Sequence, residues 1–169
     1  MRILETQSLL WPDEAACEAF ARSFAKALCA DAEPLNASIE LHGQLGAGKT
    51  SLVRHLLRAL GVEGRIKSPS YAVMESYDLS DSAPQVGEVS HFDFYRFSDP
   101  REWEDAGFRD IFAAPGLKLS EWPEKAVGVL PTADLQIWLE VQEDGSRSVR
   151  LLAGSAWAVD VLHRLGAKP

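Results

Sequence analysis

The chain is short of several things that would have settled its class at once. Only two cysteines occur among 169 residues, Cys17 and Cys29 in one helical stretch, and their spacing suits neither a zinc-ligand pair nor a disulfide framework. No apolar run approaches the roughly 20 residues that span a bilayer, and Met1 to Leu10 lacks a basic segment followed by an apolar one. A membrane anchor and an export signal are therefore not expected. Positive charge is also scarce, with 17 Lys and Arg against 25 Asp and Glu, a net charge of −8. Phosphate-backbone binding needs a basic patch or stripe, so direct RNA binding by this chain alone is not expected. Repeats and low-complexity segments are absent as well. What remains, 46% hydrophobic and 25% charged, reads as one cytoplasmic domain over residues 1–169 with a core that needs no staple.

Against that background Gly43-Gln44-Leu45-Gly46-Ala47-Gly48-Lys49-Thr50 fits G-x-x-x-x-G-K-[ST] at every fixed position. Its glycines let the backbone curl so that successive N–H groups face phosphate oxygens. Lys49 is placed for the β- and γ-phosphates and Thr50 for Mg²⁺, and the helix starting here turns its positive end to the anion. The context agrees. Ala37 to His42 alternates as a short strand, with Ile39 and Leu41 on one face, and Leu52, Val53, Leu56, Leu57 and Leu60 then follow helical spacing up to Gly61.

Ser8 to Glu14 reads as a helix start with Pro12 in the first turn, and Cys17, Phe20, Phe24 and Leu28 form the apolar stripe of a helix to about Ala30. Trp11-Pro12 is either an apolar shelf for a purine or a hydrophobic staple. The stretch Gly61 to Tyr71 is too long for a tight turn, which makes Ser68 and Ser70 candidates for a γ-phosphate-sensing switch, with a plain surface connection as the alternative. Tyr71 to Leu79 and Val86 to Phe94 read as strands joined by a turn, the second ending at Asp93, an acid suited to Mg²⁺ beside a phosphate loop. His91 reads as a packing or hydrogen-bonding residue. Asp99 caps a short helix that Gly107 breaks. Arg96, Arg101 and Arg109 are either γ-phosphate or partner contacts or solvated surface charges. Leu117 to Trp122 is a brief strand stopped by Pro123, which leaves Glu121 at its end to hold Mg²⁺ or orient water, or else as a surface acid. Asp134 to Val141 and Ser148 to Leu152 form a C-terminal hairpin, followed by a helix carrying Trp157, Val161, Leu162 and Leu165.

In those stretches, from about Pro12 to Arg147, the chain resembles the TsaE family, the bacterial ATPases of tRNA threonylcarbamoyladenosine formation. The blocks that carry the likeness are Gly43 to Thr50, Lys67-Ser68-Pro69-Ser70-Tyr71, His91-Phe92-Asp93-Phe94-Tyr95-Arg96 with Asp99-Pro100, and Glu121-Trp122-Pro123 with Gly128-Val129-Leu130-Pro131. The resemblance implies an α/β, three-layer P-loop nucleotidase fold with a mixed, mainly parallel central sheet and the C-terminal hairpin. It implies ATP and Mg²⁺ as cofactors, with Gly46, Ala47, Gly48, Lys49, Thr50 and Ser51 on the nucleotide and Asp13 and Arg147 near it. Thr50, Asp93 and Glu121 would hold the metal, Lys49, Asp93 and Glu121 would serve catalysis, and Ser68 to Tyr71 would be the switch. Two departures stand out: Ser70 where the family has Thr, and Gln44 where Asp is commoner. Neither removes a required donor. The implied partners are the TsaD and TsaB proteins, which modify adenosine 37 of tRNAs reading codons that begin with adenine, and the implied role is a slow, partner-stimulated ATP cycle that resets that pair. The competing readings are a small-molecule phosphotransferase, although no basic lid segment is visible, and a nucleotide-gated binding module without useful hydrolysis.

Overall fold

The computed structural model describes residues 1–31, 34–67, 69, 73–99 and 101–166. Among them seven strands form one sheet, in the order β1-β7-β6-β2-β5-β4-β3. The strands are β1 (Glu5–Trp11), β2 (Asn36–His42), β3 (Met74–Asp78), β4 (Glu88–Asp93), β5 (Gly116–Glu121), β6 (Leu135–Val141) and β7 (Arg147–Ala153). The helices are α1 (Glu14–Leu28), α2 (Lys49–Ala59), α3 (Arg101–Asp105), α4 (Phe108–Ala113) and α5 (Ala156–Gly166), with a 3-10 turn at Pro123–Ala126. The four central strands β6, β2, β5 and β4 run parallel, while β3 at one edge and β7 and β1 at the other pair antiparallel. This is the mixed α/β sheet expected from sequence.

Helices cover both faces. The larger core, built around Phe24, Leu28, Ile39, Leu41, Leu57, Leu119 and Leu151, receives α1, α2 and α5. A second core of Phe92, Phe94, Phe97, Trp103, Phe108 and Phe112 lies under α3 and α4. Strand alternation assigns the two: on β4, Val89 packs into the first core and Phe92 into the second. Burying one such Leu or Phe contributes about 1.5–3 kcal/mol.

One expectation fails at the start of the chain. The stretch read as a helix start from Ser8 is the edge strand β1, paired with β7 from Glu5↔Ala153 to Trp11↔Arg147. Helix α1 begins only at Glu14, with Asp13 as N-cap accepting the Ala16 N–H at 3.0 Å. Trp11 is buried and tilts against Phe20 at 5.2 Å, so it serves as a staple for α1 and presents no shelf for a base. The remaining elements fall where periodicity put them. Ser68, Ser70 and Tyr71 of the expected switch, and Pro100, lie outside the described residues. Val62 and Ile66, earlier in that loop, pack on the larger core.

Candidate functional site

Because β2, β5 and β4 are parallel neighbours, their carboxyl ends share one edge of the sheet, which is where ligands bind in open α/β folds. The glycine loop leaves the end of β2, Glu121 ends β5 and Asp93 ends β4, and the register sets Asp93 directly opposite Glu121. A cleft of about 360 Å³ at this edge is lined by Leu45 to Ser51, Asp93, Tyr95, Glu121, Trp122 and Arg147. The fold thus gathers Gly46, Ala47, Gly48, Lys49, Thr50, Ser51, Asp93, Glu121 and Arg147 around one space. Asp13 is not among its lining residues and acts as the cap of α1. A larger hollow of about 880 Å³ lies beside it and shares only Trp122. Volume does not locate the chemistry here, since the smaller cleft holds the glycine loop, the buried lysine and both strand-end acids.

The loop is shaped by backbone that only glycine adopts easily. Gly48 caps α2 at φ 104°, and a Cβ there would stand 2.9 Å from Arg147 Nε. At Gly43 a Cβ would stand 2.7 Å from the Leu139 carbonyl oxygen. At Gly43 the neighbour is backbone, so that glycine is required sterically as well as conformationally, whereas at Gly48 a Cβ would have to displace the Arg147 side chain.

Lys49 is 4% exposed. Its ammonium donates to the Gly43 carbonyl and sits 3.5 Å from the Trp122 ring centroid. Burial lowers its pKa, while Glu121, Glu124 and Asp93 pull it back up. Trp122 takes the left-handed conformation, φ 55°, the sole non-glycine residue to do so among those described. That geometry costs about 1–2 kcal/mol and puts its ring beneath Lys49 and 5.0 Å from Tyr95.

The Thr50 hydroxyl donates to Glu121 Oε1 at 2.8 Å. Glu121 Oε2 faces His91 Nε2 at 2.6 Å, with Glu121 2% and His91 1% exposed. Glu121 is therefore a buried, held carboxylate, which removes the reading of it as a surface acid. Asp93 accepts the Tyr95 N–H at 3.0 Å, and desolvation pushes its pKa up, assisted by the charge of Glu121. A hydroxyl with two carboxylates is the hard-oxygen donor set that magnesium takes, so these residues fit the ion. Arg101 pairs with Asp99 and Arg109 with Glu104, both on the surface, and Arg96 is exposed, so all three are solvated charges.

Arg147 reaches the cleft by a route no local motif announces. Pairing of β1 with β7 sets Trp11 opposite Arg147, which brings the first turn of α1 over it. Arg147 donates to Glu14 Oε2 at 3.3 Å, and Glu14 Oε1 faces His55 Nε2 at 2.8 Å. Sequence reasoning gave His91 a packing or hydrogen-bonding role, which the contact with Glu121 fits, but not its partner, and it missed Tyr95 and the Glu14–His55 pair. The alternation of β4 already placed His91 on the face of Asp93, and that was the usable signal.

Comparison with known proteins gives the family and the fold. The family model described as threonylcarbamoyl adenosine biosynthesis protein TsaE matches residues 11–149. The chain is 36% identical over 150 residues to the tRNA threonylcarbamoyladenosine biosynthesis protein TsaE of Haemophilus influenzae, covering 89% of this chain and 91% of that protein. It is 31% identical over 132 residues to the Bacillus subtilis protein of the same name, covering 78% of each. The crystal structure of Bacillus subtilis YdiB superposes with a TM-score of 0.76 at 23% identity, over 98% of this chain and 97% of that one, a likeness of fold. With the family model spanning most of the chain and both relatives matched over more than two thirds of their length, the chain belongs to the TsaE family.

Proposed function

We propose that the chain binds ATP with Mg²⁺ in the phosphate-loop cleft and hydrolyses it slowly. We propose further that this cycle supports or resets a TsaB–TsaD pair during threonylcarbamoyladenosine modification of adenosine 37 in tRNAs reading codons that begin with adenine. A cytoplasmic location goes with that role. The observation that carries the reading is the Thr50–Glu121 contact at 2.8 Å, which ties the start of α2 to the end of β5 beside Asp93. A phosphate loop with its metal-side acids calls for that combination at a strand-end edge.

In this reading the backbone N–H groups of Gly46 to Thr50 cradle the phosphates, and Lys49 supplies a point charge for the β- and γ-phosphates. Thr50, Glu121 and Asp93 would hold Mg²⁺, which when bound neutralises charge on the transferred phosphoryl group. Glu121, fixed from both sides by Thr50 and His91, keeps its orientation and can align water for attack. Arg147 adds a second cation at Gly48, held back by Glu14.

The test compares ATP turnover by the protein alone, with bulk tRNA, and with TsaB and TsaD together. The expected result is slow turnover alone and acceleration only by the protein pair; a positioned positive group supplied in trans is worth roughly 10³–10⁵ in rate. Fast turnover alone, or acceleration by tRNA alone, overturns the reading. Lys49→Ala is expected to abolish ATP binding in calorimetry, and binding within a few-fold of the parent would remove Lys49 from the site.

A further inference from the structure

Outside the phosphate cleft, Glu14 and Cys17 stand at i and i+3 on one face of α1, opposite His55 on α2. One ligand atom from each of the three lies within 4.8 Å of the others. We propose that Glu14, Cys17 and His55 form a site for one zinc(II)-class ion that clamps α1 to α2. The donor set is a carboxylate, a thiolate and an imidazole, the types zinc selects, and three protein ligands leave a fourth position for water. Tetrahedral zinc at its usual bond lengths sets such atoms about 3.3–3.7 Å apart. Glu14 Oε1 and His55 Nε2 stand at 2.8 Å, so they open slightly. Cys17 is fixed in the core at 1% exposure while Glu14 is half-exposed and His55 partly so, so the two mobile ligands close on the fixed one and the ion enters from their side.

Charge and protons balance. The Cys17 thiol, pushed up to about 11 by desolvation and the neighbouring Glu14 charge, releases its proton to water as the ion binds. The dication is then matched by one thiolate and one carboxylate, and the His55 imidazole binds neutral, its proton passing from Nε2, where it bridges to Glu14 Oε1, to Nδ1. Facing the site, Arg147 stays on Glu14 Oε2, which leaves Oε1 for the metal. Cys29 on the next element boundary has no part in the cluster and provides the control.

The experiment titrates cobalt(II), then competing zinc(II), into tag-free full-length protein cleared of metal by chelation, and follows the near-ultraviolet thiolate-to-cobalt absorption. One equivalent with that band is expected, displaced by zinc, kept in Cys29→Ser and lost in Cys17→Ser. His55→Ala, at a partly exposed position that leaves the core untouched, is expected to weaken binding at least roughly 10-fold. Zinc at a hundredfold excess over its Kd is expected to raise the melting temperature by about 5–10 °C, reversed by chelator. Absence of the band at one equivalent overturns the proposal, as does a band that survives in Cys17→Ser. Stoichiometric binding that disappears in Thr50→Ala overturns it too, because the ion would then sit in the phosphate cleft. None of these readouts depends on nucleotide, so the nucleotide reading and this one fail separately.

Discussion

His91 shows how much one buried contact decides at this site. It is enclosed beside Glu121, with Nε2 on Oε2 at 2.6 Å, and its buried Nδ1 has no partner among the described residues. A residue that holds the carboxylate proposed for Mg²⁺ acts on the site by positioning that carboxylate. Loss of such partners costs about 10–100-fold in metal affinity or activity. His91→Ala is therefore expected to raise the Mg²⁺ concentration needed for ATP turnover by that factor, with partial recovery in His91→Asn, while ATP affinity measured without Mg²⁺ stays near the parent. Unchanged Mg²⁺ dependence would leave His91 with packing alone. Cys17 gives a second residue-scale expectation. Its thiol is raised from the ordinary 9.0 to about 11 by burial, so between those values the folded state binds more protons than the unfolded one. That contribution is fully present below pH 9 and is lost as pH rises through 11, on the order of 2–3 kcal/mol. Thermal melts between pH 8 and 11 are expected to fall more steeply for the parent than for Cys17→Ala, and parallel curves would show the thiol titrating alike in both states.

The phosphate loop makes a prediction that local conformation alone cannot. Gly46 and Gly48 both have positive φ, 82° and 104°, yet among the described residues a Cβ at Gly46 meets nothing within 4 Å whereas at Gly48 it meets Arg147. Gly46→Ala is expected to cost roughly the 1–2 kcal/mol of left-handed backbone. Gly48→Ala adds displacement of Arg147 from Glu14 and is expected to destabilise more and to lower ATP affinity further, checked by paired melts and calorimetry. Equal losses would mean that Arg147 simply moves aside. The same contrast explains which elements could be read from sequence. The β6–β7 hairpin was legible because Leu135, Ile137 and Leu139 alternate inward with a turn behind them, and α1 because Cys17, Phe20, Phe24 and Leu28 are all buried. Strand β1 was not, because only Trp11 of its seven residues is buried. An edge strand held by backbone pairing carries little period-two signal. Glu121 and Asp93 were legible as strand ends, while Arg147 and the Glu14–His55 pair depend on the β1–β7 register and on packing between α1 and α2, which no local pattern encodes.

At the scale of the whole molecule, charge separates a protein that serves tRNA modification from one that binds tRNA. The net charge is −8, and among the described residues several of the cations are already engaged: Arg22 by Glu18, Arg101 by Asp99, Arg109 by Glu104, Arg147 by Glu14 and Arg164 by Asp31. A polyanion gains by releasing counterions from unpaired Lys and Arg, and each neutralised phosphate shows as a slope of roughly −0.9 in log K against log salt. A net-acidic surface on which these five arginines are already paired offers less of that gain and adds repulsion. Fluorescence anisotropy of labelled tRNA is therefore expected to show no saturable binding at about 10⁻⁵ M protein, a concentration within the usual range of non-specific affinities. The result should be the same at 50 and 200 mM salt and with or without ATP. Saturable binding that weakens steeply with salt would mean that a basic stripe exists which pairing along the surface conceals. A role exerted through proteins rather than on the nucleic acid would then lose its electrostatic basis.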